Sequence, residues 1–426
     1  MANGTRPRIV ILGAGFGGLW AARALRRASV DVVLIDRNNY HTFFPLLYQV
    51  AAAELEPEDI AYPVRTIVRK LPNVQFLLAD VQGVDLEAQK IATPGGSVSY
   101  DYIILATGST AHFFGVPGAE EHAFPLRTLE EGVALRNHIL RRFERAAWEP
   151  DPQRRRELLT FVIVGGGPTG VEFAGALAEL VAGSLARDYP RLDFREVRVI
   201  LFEAADRLLP VLPSRLSAYA HRRLQHLGVE VHLETLVARI EARGVHLQDG
   251  SALPAETVIW TAGVQGSPPT DTDALPADSS RRLSVEPTLQ VPGHSGVYAL
   301  GDLALLEGGE SLPMLATVAI QQGTAAARNI VRQIRGHVPR PFRYEDLGTL
   351  AVIGRNAAIA HLFSRAAFTG FFAWILWLGV HLFRLIGFRN RLVVLSSWAV
   401  DYLLFERVVR LILPSEVAEV TRETQD

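Results

Sequence analysis

The stretch Arg8–Leu25, RIVILGAGFGGLWAARAL, decides the fold. The apolar run Ile9–Leu12 reads as a strand buried on both faces, and the alanine-rich stretch from Leu19 to about Arg27 as the helix that follows it. Between them stand Gly13, Gly15 and Gly18. Gly13 permits the tight strand-to-helix turn, Gly15 lets a pyrophosphate approach the backbone, and Gly18 lets helix and strand pack closely. The helix N-terminus offers free N–H groups and the positive end of its dipole to phosphates. A second strand, Val30–Ile35, ends in Asp36, 18 residues beyond Gly18. That is about where a ribose-binding carboxylate belongs. A glycine triplet alone also makes an ordinary turn; strand, glycines, helix, strand and terminal acid together make a dinucleotide fingerprint.

Residues 160–180, TFVIVGGGPTGVEFAGALAEL, repeat the design. Phe161–Val164 is the strand, Gly165, Gly167 and Gly170 the loop, and about Val171–Val181 the helix. The next strand, Val197–Phe202, ends in Glu203, 33 residues after Gly170, with Asp188–Arg195 as an inserted loop. A carboxylate there bonds a 2′-hydroxyl and repels a 2′-phosphate, which favours NADH over NADPH; Arg207 works against that preference. Glu172 reads either as a first-turn acid complementing the helix dipole or as a contact to the nicotinamide end of NADH. Two further strands follow their loops by about 95 residues. Tyr100–Thr110, YDYIILATGST, delivers Thr107 and Gly108, and Thr257–Val264, TVIWTAGV, delivers Gly263. Gly296–Ala304, GVYALGDLA, brings Gly301 and Asp302 to a strand end, suited to a ribityl or pyrophosphate contact or to a plain turn.

Composition sets the outer limits. A chain of 426 residues with 49% apolar content predicts two or three domains. Net charge is −2, so there is no global basic field and no nucleic-acid partner is expected. Cysteine is absent, which excludes disulfides, thiolate metal sites, Fe–S clusters and thiol redox chemistry; no metal is expected. Lys70 and Lys90 are the only lysines among 43 basic residues, an arginine excess that reads as compositional bias. The polar start Met1–Arg8 runs straight into a strand and gives no signal-peptide pattern.

The order of these segments, over about residues 6–330, resembles the flavoproteins with two dinucleotide-binding domains. That resemblance implies FAD on the first loop, a nicotinamide dinucleotide on an inserted second domain, and a return of the Gly301-Asp302 segment to the FAD. Four narrower stretches resemble the type II NADH dehydrogenases, single-subunit NADH:quinone oxidoreductases that pump no protons. They are DRNNYHTFFPLLYQV (36–50), GGGPTGVEFAG (165–175), ATVAIQQ (316–322) and GFFAWILWLGVHLFRLIGFRNRLVVLSSW (370–398). The family's quinone segment reads A-Q-x-A-x-Q-Q; Ala316, Ala319, Gln321 and Gln322 fit, and Thr317 replaces the first Gln. Its shorter hydroxyl reaches a quinone carbonyl directly or through water.

The resemblance implies these roles. FAD falls to Gly13, Gly15, Gly18, Asp36, Thr107, Gly108, Gly301 and Asp302. NADH falls to Gly165, Gly167, Gly170, Glu203 and Gly263. Glu172, Gln321 and Gln322 are the catalytic candidates. Pro45, Ala316, Thr317, Ala319 and Gln321 border the quinone, unless Gln321 and Gln322 only pack near the flavin. Phe44 and Tyr48 either line the pocket or belong to the core. The expected chemistry is hydride transfer from NADH to FAD and passage of two electrons to a membrane quinone.

The expected fold is α/β: two Rossmann-like domains, with the NADH domain inserted into the FAD domain, plus a C-terminal membrane-associated amphipathic helical region. The boundaries read 1–120 with 280–330 for FAD, 121–279 for NADH and 331–426 for the C-terminal region, with Thr128–Arg145 a connecting helix and Asp271–Arg282 a polar loop. Phe371–Val380 is apolar, with Trp374 and Trp377, and is then interrupted by His381, Arg384, Arg389 and Arg391. Leu392–Phe405 mixes Trp398 and Tyr402 with Asp401 and precedes Glu406 and Arg407. A spanning helix needs about 20 apolar residues. These shorter segments suit helices lying in a bilayer interface over about 366–405, on the cytoplasmic face of the cell membrane, in a respiratory chain; a core helix or the face of a homodimer are the other readings. Sulfide:quinone oxidoreductases and disulfide reductases share the architecture but need cysteines. A soluble-acceptor diaphorase or ferredoxin-reductase-like enzyme, and a nucleotide-responsive flavoprotein acting through partner binding, stay open.

Overall fold

The computed structural model describes residues 6–307, 312–363, 365–404, 407 and 409–412; the expected continuation of the C-terminal segment through Phe405 and Glu406 lies outside them. The chain forms two compact units. One gathers Met1–Thr42, Ala61–His112 and Val264–Asp346, the other Phe43–Ile60, Phe113–Gly263 and Leu347–Asp426.

In the first unit Arg8–Leu12 pairs in parallel with Asp31–Asp36 on one side and Tyr102–Leu105 on the other. Val74–Leu78 extends the sheet beyond Asp31–Asp36, and His294–Ala299 and Gln290–Val291 extend it beyond Tyr102–Leu105. Ile9, Val10 and Ile11 have no exposed surface, as an uninterrupted apolar run at the centre of a parallel sheet requires. The helix Phe16–Leu25 crosses the helix Ala316–Ile334 at two glycines: a Cβ on Gly323 would lie 2.2 Å from the Gly17 carbonyl oxygen. Neither glycine carries a turn: Gly323 lets the two helix backbones touch, and Gly17 leaves room for the Leu300 side chain, 2.2 Å from its Cβ position.

The units divide the chain at other points than the sequence boundaries. Val264–Gly266 pairs antiparallel with Ser109–Ala111, which draws residues 264–279 into the first unit. Residues 331–346 stay there too, because the Asn329 side chain donates to Arg340 O and accepts from Arg340 N, and Phe342 N donates to Pro287 O. Phe43–Ile60 joins the second unit, where Leu47 packs on Gly132 and Glu56 pairs with buried Arg136.

The second unit holds a parallel sheet in the order Ala123–Pro125, Thr257–Trp260, Thr160–Val164, Arg198–Phe202, Val229–His232. The connecting helix forms over Leu129–Trp148. A capping box starts it: Thr128 Oγ1 accepts from Glu131 N, and the Glu131 carboxylate accepts from Thr128 N. Among the described residues one helical stretch, Pro168–Asp188, is long and apolar enough to cross a bilayer, but 72% of its apolar window is buried inside the protein, so it serves as a core helix.

A three-stranded antiparallel sheet, Thr349–Val352, Ala358–Leu362 and Ala366–Gly370, leads into the helices Phe371–Arg384 and Phe388–Leu404. These helices sort their aromatics: Trp374, Trp377 and Trp398 are buried, while Phe371, Phe372, Phe383 and Phe388 are exposed. His381 does not interrupt the first helix as a charged residue would. Its Nδ1 donates to Trp377 O at 2.8 Å, its ring stacks on the Trp377 indole, and burial pushes its pKa down to about 4, so the ring is neutral and the helix runs on to Arg384.

Candidate active site

The first glycine loop is built by steric necessity. Gly13 has φ +101°, and a Cβ there would lie 2.3 Å from Ala106 O; a Cβ on Gly18 would lie 1.8 Å from Gly13 O. Gly15 is different: nothing stands within 4 Å of its Cβ position, and it caps the helix without any side-chain acceptor for the first N–H groups. Space and a helix N-terminus without a side-chain cap therefore coincide at the position expected to face a pyrophosphate. Asp36 closes the loop, with Oδ2 accepting from Ala14 N at 2.6 Å and Oδ1 from Asn38 N at 2.7 Å. Burial raises its pKa and these two N–H donors hold it down.

His41 is a residue that the motif reading passed over. It is buried under the edge of Phe16, and its Nδ1 donates to Ala14 O at 3.0 Å. The proton is therefore on Nδ1, and Nε2 is an acceptor enclosed without a protein donor. Burial pushes its pKa down to about 4, which keeps that lone pair available. An open glycine at a helix N-terminus, a strand-end acid and an orphaned buried acceptor fit the ADP portion of FAD.

The return segment completes this unit. Gly301, at φ +70°, donates its N–H to Gln322 Oε1 at 2.7 Å. Asp302 Oδ2 accepts from Ser109 Oγ at 2.6 Å. The Thr107 hydroxyl donates to Ser267 O at 2.6 Å, and Gly108, at φ +75°, carries the chain past it. The segment Ala316–Gln322 forms the first turns of the helix Ala316–Ile334. Thr317 Oγ1 lies 3.0 Å from the Tyr344 hydroxyl. The Gln321 amide is paired at both ends with the Glu345 backbone, donating to O at 2.9 Å and accepting from N at 3.0 Å. Ala319 is buried, and Gln322 is buried and committed to Gly301.

The second loop repeats the geometry of the first. Gly165 has φ +109°, with a Cβ position 2.5 Å from Ala262 Cα; a Cβ on Gly170 would lie 1.9 Å from Gly165 O; Gly167 is open. Glu203 is pinned to its own loop, Oε2 accepting from Gly166 N at 2.5 Å and Oε1 from Ala205 N at 2.7 Å. Gly263 follows the strand Thr257–Trp260. The Arg207 guanidinium donates to Pro210 O.

Glu172 is not a first-turn acid. The helix begins at Pro168 and its first turn holds no acidic residue, which removes the dipole reading. Its carboxylate accepts from Val352 N at 3.3 Å, beside a Trp377 indole whose Nε1 makes no hydrogen bond among the described residues, and burial pushes its pKa up to about 8. Trp377 packs between Trp398 and Tyr48, at ring separations of 5.7 and 6.5 Å. Gln49 ties that group together, donating to the Tyr48 hydroxyl and accepting from Trp398 Nε1. Tyr48 is thus a core aromatic, Pro45 is half-buried, and Phe44 is 41% exposed. Pro45 and Glu172 belong to the second unit, the Ala316–Gln322 segment to the first.

A buried ion cluster in the second unit had no signal in the sequence. Arg407 donates to Ala52 O, Ala176 O and Glu54, and lies within 3.5 Å of Glu179 and 3.8 Å of Asp401. Its partner Glu54 is 353 residues away. Among the described residues no group of His, Asp and Glu could hold a metal ion.

Residues 7–323, which include both loops, match the family described as pyridine nucleotide-disulphide oxidoreductase. The fold and the paired loops therefore place the chain in that class. Residues 347–407 match the NDH2 C-terminal domain. The chain is 38% identical to the type II NADH:quinone oxidoreductase Ndh of Mycobacterium tuberculosis, over 93% of this chain and 88% of the relative. It is 30% identical to the type II NADH:quinone oxidoreductase of Staphylococcus haemolyticus, over 84% and 90%. A solved structure of NDH2 from Plasmodium falciparum in complex with NADH has the same fold, with a TM-score of 0.87 over 96% of this chain and 100% of that one, at 19% identity. The chain belongs to the type II NADH:quinone oxidoreductases. That membership meets the expectations for the α/β fold, for FAD with NADH as substrate and for the class of enzyme.

Proposed function

We propose that this chain oxidises NADH at its second glycine loop and reduces a membrane quinone, with FAD held by its first. The observation that carries the reading is the duplication of one site. Each unit presents an open glycine at a helix N-terminus, Gly15 or Gly167, beside a strand-end acid, Asp36 or Glu203, locked to its own loop by two backbone N–H groups. Bound FAD supplies the two-electron exchange between nicotinamide and quinone. The chain's own residues bind and position. Asp302, fixed by Ser109, and Gly301, fixed by Gln322, hold the FAD side; His41 Nε2 accepts a hydroxyl or water proton there. Glu172, whose pKa of about 8 keeps it protonated at neutral pH, holds a proton beside Trp377 for the quinone-reducing step. Ala316, Thr317, Ala319 and Gln321 border the quinone. Thr317 with Tyr344 offers hydroxyls where the family carries an amide.

Membrane attachment on the cytoplasmic face belongs to the same proposal. The exposed phenylalanines of the helices Phe371–Arg384 and Phe388–Leu404 alternate with Arg384, Arg389 and Arg391, which suits insertion at headgroup depth more than pairing with a second copy.

Steady-state turnover of the FAD-loaded, detergent-solubilised protein with a short-chain quinone tests the reading, with NADPH and an artificial dye alongside. NADH–quinone turnover well above NADPH–quinone turnover is expected. Turnover with dye but not quinone would discard the quinone site. Glu203→Ala is expected to lower the ratio of kcat/KM for NADH over NADPH by about tenfold, the loss of one charge-assisted bond. An unchanged ratio would remove Glu203 from the ribose.

A further inference from the structure

Six arginines of the first unit converge where nothing in the reaction uses them. Arg27, Arg328, Arg332, Arg335, Arg340 and Arg343 line a groove of about 750 Å³ between the C-terminal end of the helix Phe16–Leu25, the outer face of the helix Ala316–Ile334 and the segment 340–343. No Asp or Glu lines it. Arg332 Nε donates to Val338 O, and none of the six forms an ion pair with a carboxylate among the described residues.

This concentration needs a reason. The chain as a whole is slightly acidic, with 45 carboxylates to 43 basic side chains, so an arginine placed at random finds an acidic neighbour, and elsewhere in this protein many do. Arg328, Arg332 and Arg335 recur at i, i+4 and i+7 on one helix face, and like charges at that spacing repel. The helix C-terminus accounts for the last-turn Arg332 through its dipole. It accounts neither for Arg328, nearly two turns inside the helix, nor for Arg340 and Arg343, which a separate segment brings in. An uncompensated cluster in a concave site is stabilised by a counter-anion, and guanidinium forks match phosphate oxygens bidentately. Arg328 and Arg335 are seven residues apart, about 10 Å along the axis, more than one phosphate bridges.

We propose that this groove binds an anion carrying two or more phosphate groups. It is not the FAD loop, since it opens at Ala24, Arg27 and Ala28, about 14 Å along the helix from Gly15. Ile320 and Gln321 line the other end of the groove, so it adjoins the segment assigned to the quinone, but none of the six arginines belongs to that assignment. Phosphates of this kind come either as free polyanions or as phospholipid headgroups, and the test separates the two.

The FAD-loaded full chain, with NAD⁺ in excess so that the second loop is filled, is titrated calorimetrically with inorganic tripolyphosphate at low and at physiological salt. It is also floated with vesicles of diphosphatidylglycerol, whose headgroup carries two phosphates, in phosphatidylcholine, and with phosphatidylcholine alone. Arg328→Gln/Arg335→Gln/Arg340→Gln is compared with a control carrying three exposed arginines changed elsewhere, Arg69→Gln/Arg222→Gln/Arg239→Gln. We expect saturable binding that weakens with salt and a loss of tenfold or more in the groove variant, with the control unchanged. A loss confined to tripolyphosphate assigns the site to free polyphosphates; a loss confined to anionic vesicles assigns it to headgroups. Without ligand the groove variant is expected to melt no lower than the control, which shows that it folds. If the native protein binds neither probe, or if groove and control variants lose binding equally, the proposal is overturned.

Discussion

At the scale of the residue, the two nucleotide loops separate two jobs that one motif assigns to identical letters. Gly18 is required by the protein itself, because a Cβ there meets Gly13 O at 1.8 Å, whereas Gly15 faces open space. Gly15→Val should therefore leave the melting temperature of the FAD-free chain within a few degrees of the native value while lowering the fraction that retains FAD by more than tenfold. Gly18→Ala should lower the melting temperature itself, through about 1–3 kcal/mol or more of overpacking. Equal flavin content in Gly15→Val and the native protein would remove the phosphate from that position. Glu172 makes a second residue-scale prediction. Its carboxyl is protonated in folded and unfolded chains below about pH 4.5, and between there and about pH 8 only the folded chain keeps the proton. Stability thus falls as pH rises through that window and levels off above it. Glu172→Gln should make the melting-temperature profile less steep between pH 5 and pH 8, with buried Glu54, also raised to about 8, supplying part of the slope that remains; parallel profiles would refute the raised pKa. These residues were legible to different degrees. The glycines and the strand-end acids could be read because a backbone constraint acts over a few positions. The role of Glu172 as a buried acid could not, because Val352 and Trp377 reach it from distant segments.

At the scale of the element, period and length were enough to find the strands Arg8–Leu12 and Thr160–Val164, the capped helix Leu129–Trp148 and the two C-terminal helices. They were not enough to find what the elements touch. Gly17 sits among the loop glycines, and Gly323 looks like a weak spot in the helix Ala316–Ile334, yet their contact sets the distance between two helices. Gly323→Val should cost at least about 1–3 kcal/mol, and because the same helix carries Gln322 to Gly301, the variant should also release flavin more readily. Gly379→Ala is the matched control. It lies in the exposed middle of the helix Phe371–Arg384 with nothing within 4 Å of its Cβ position, and should gain about 0.5–1 kcal/mol. Chemical denaturation of both variants checks the pair, and a Gly323→Val midpoint as high as that of Gly379→Ala would show that the helices can move apart without cost.

At the scale of the whole molecule, the segments that the sequence boundaries set apart are exchanged between the two compact units. Arg407 shows why those boundaries were hidden: one guanidinium joins residues 52–54, 176–179 and 401 of the second unit, a set with no pattern along the chain. Burying Arg407, Trp374, Trp377 and Trp398 turns the apolar character of the C-terminal helices into two kinds of surface, a core that holds the unit together and an exposed row that leaves most of its area uncovered. Phe372, Phe383 and Phe388 are 78%, 76% and 76% exposed, so their burial elsewhere is where their free energy lies, at about 1.5–3 kcal/mol each if fully covered. Three such side chains, half-covered at headgroup depth, correspond to a partition coefficient changed by at least about 30-fold. Phe372→Ser/Phe383→Ser/Phe388→Ser is therefore expected to keep its flavin, its melting temperature and its NADH-to-dye rate, and to lose vesicle binding together with turnover of a long-chain quinone dissolved in those vesicles. If the variant still floats with the vesicles, the two helices cover something other than a membrane; if it leaves the vesicles but reduces the long-chain quinone at the native rate, attachment and quinone access are separate properties of the chain.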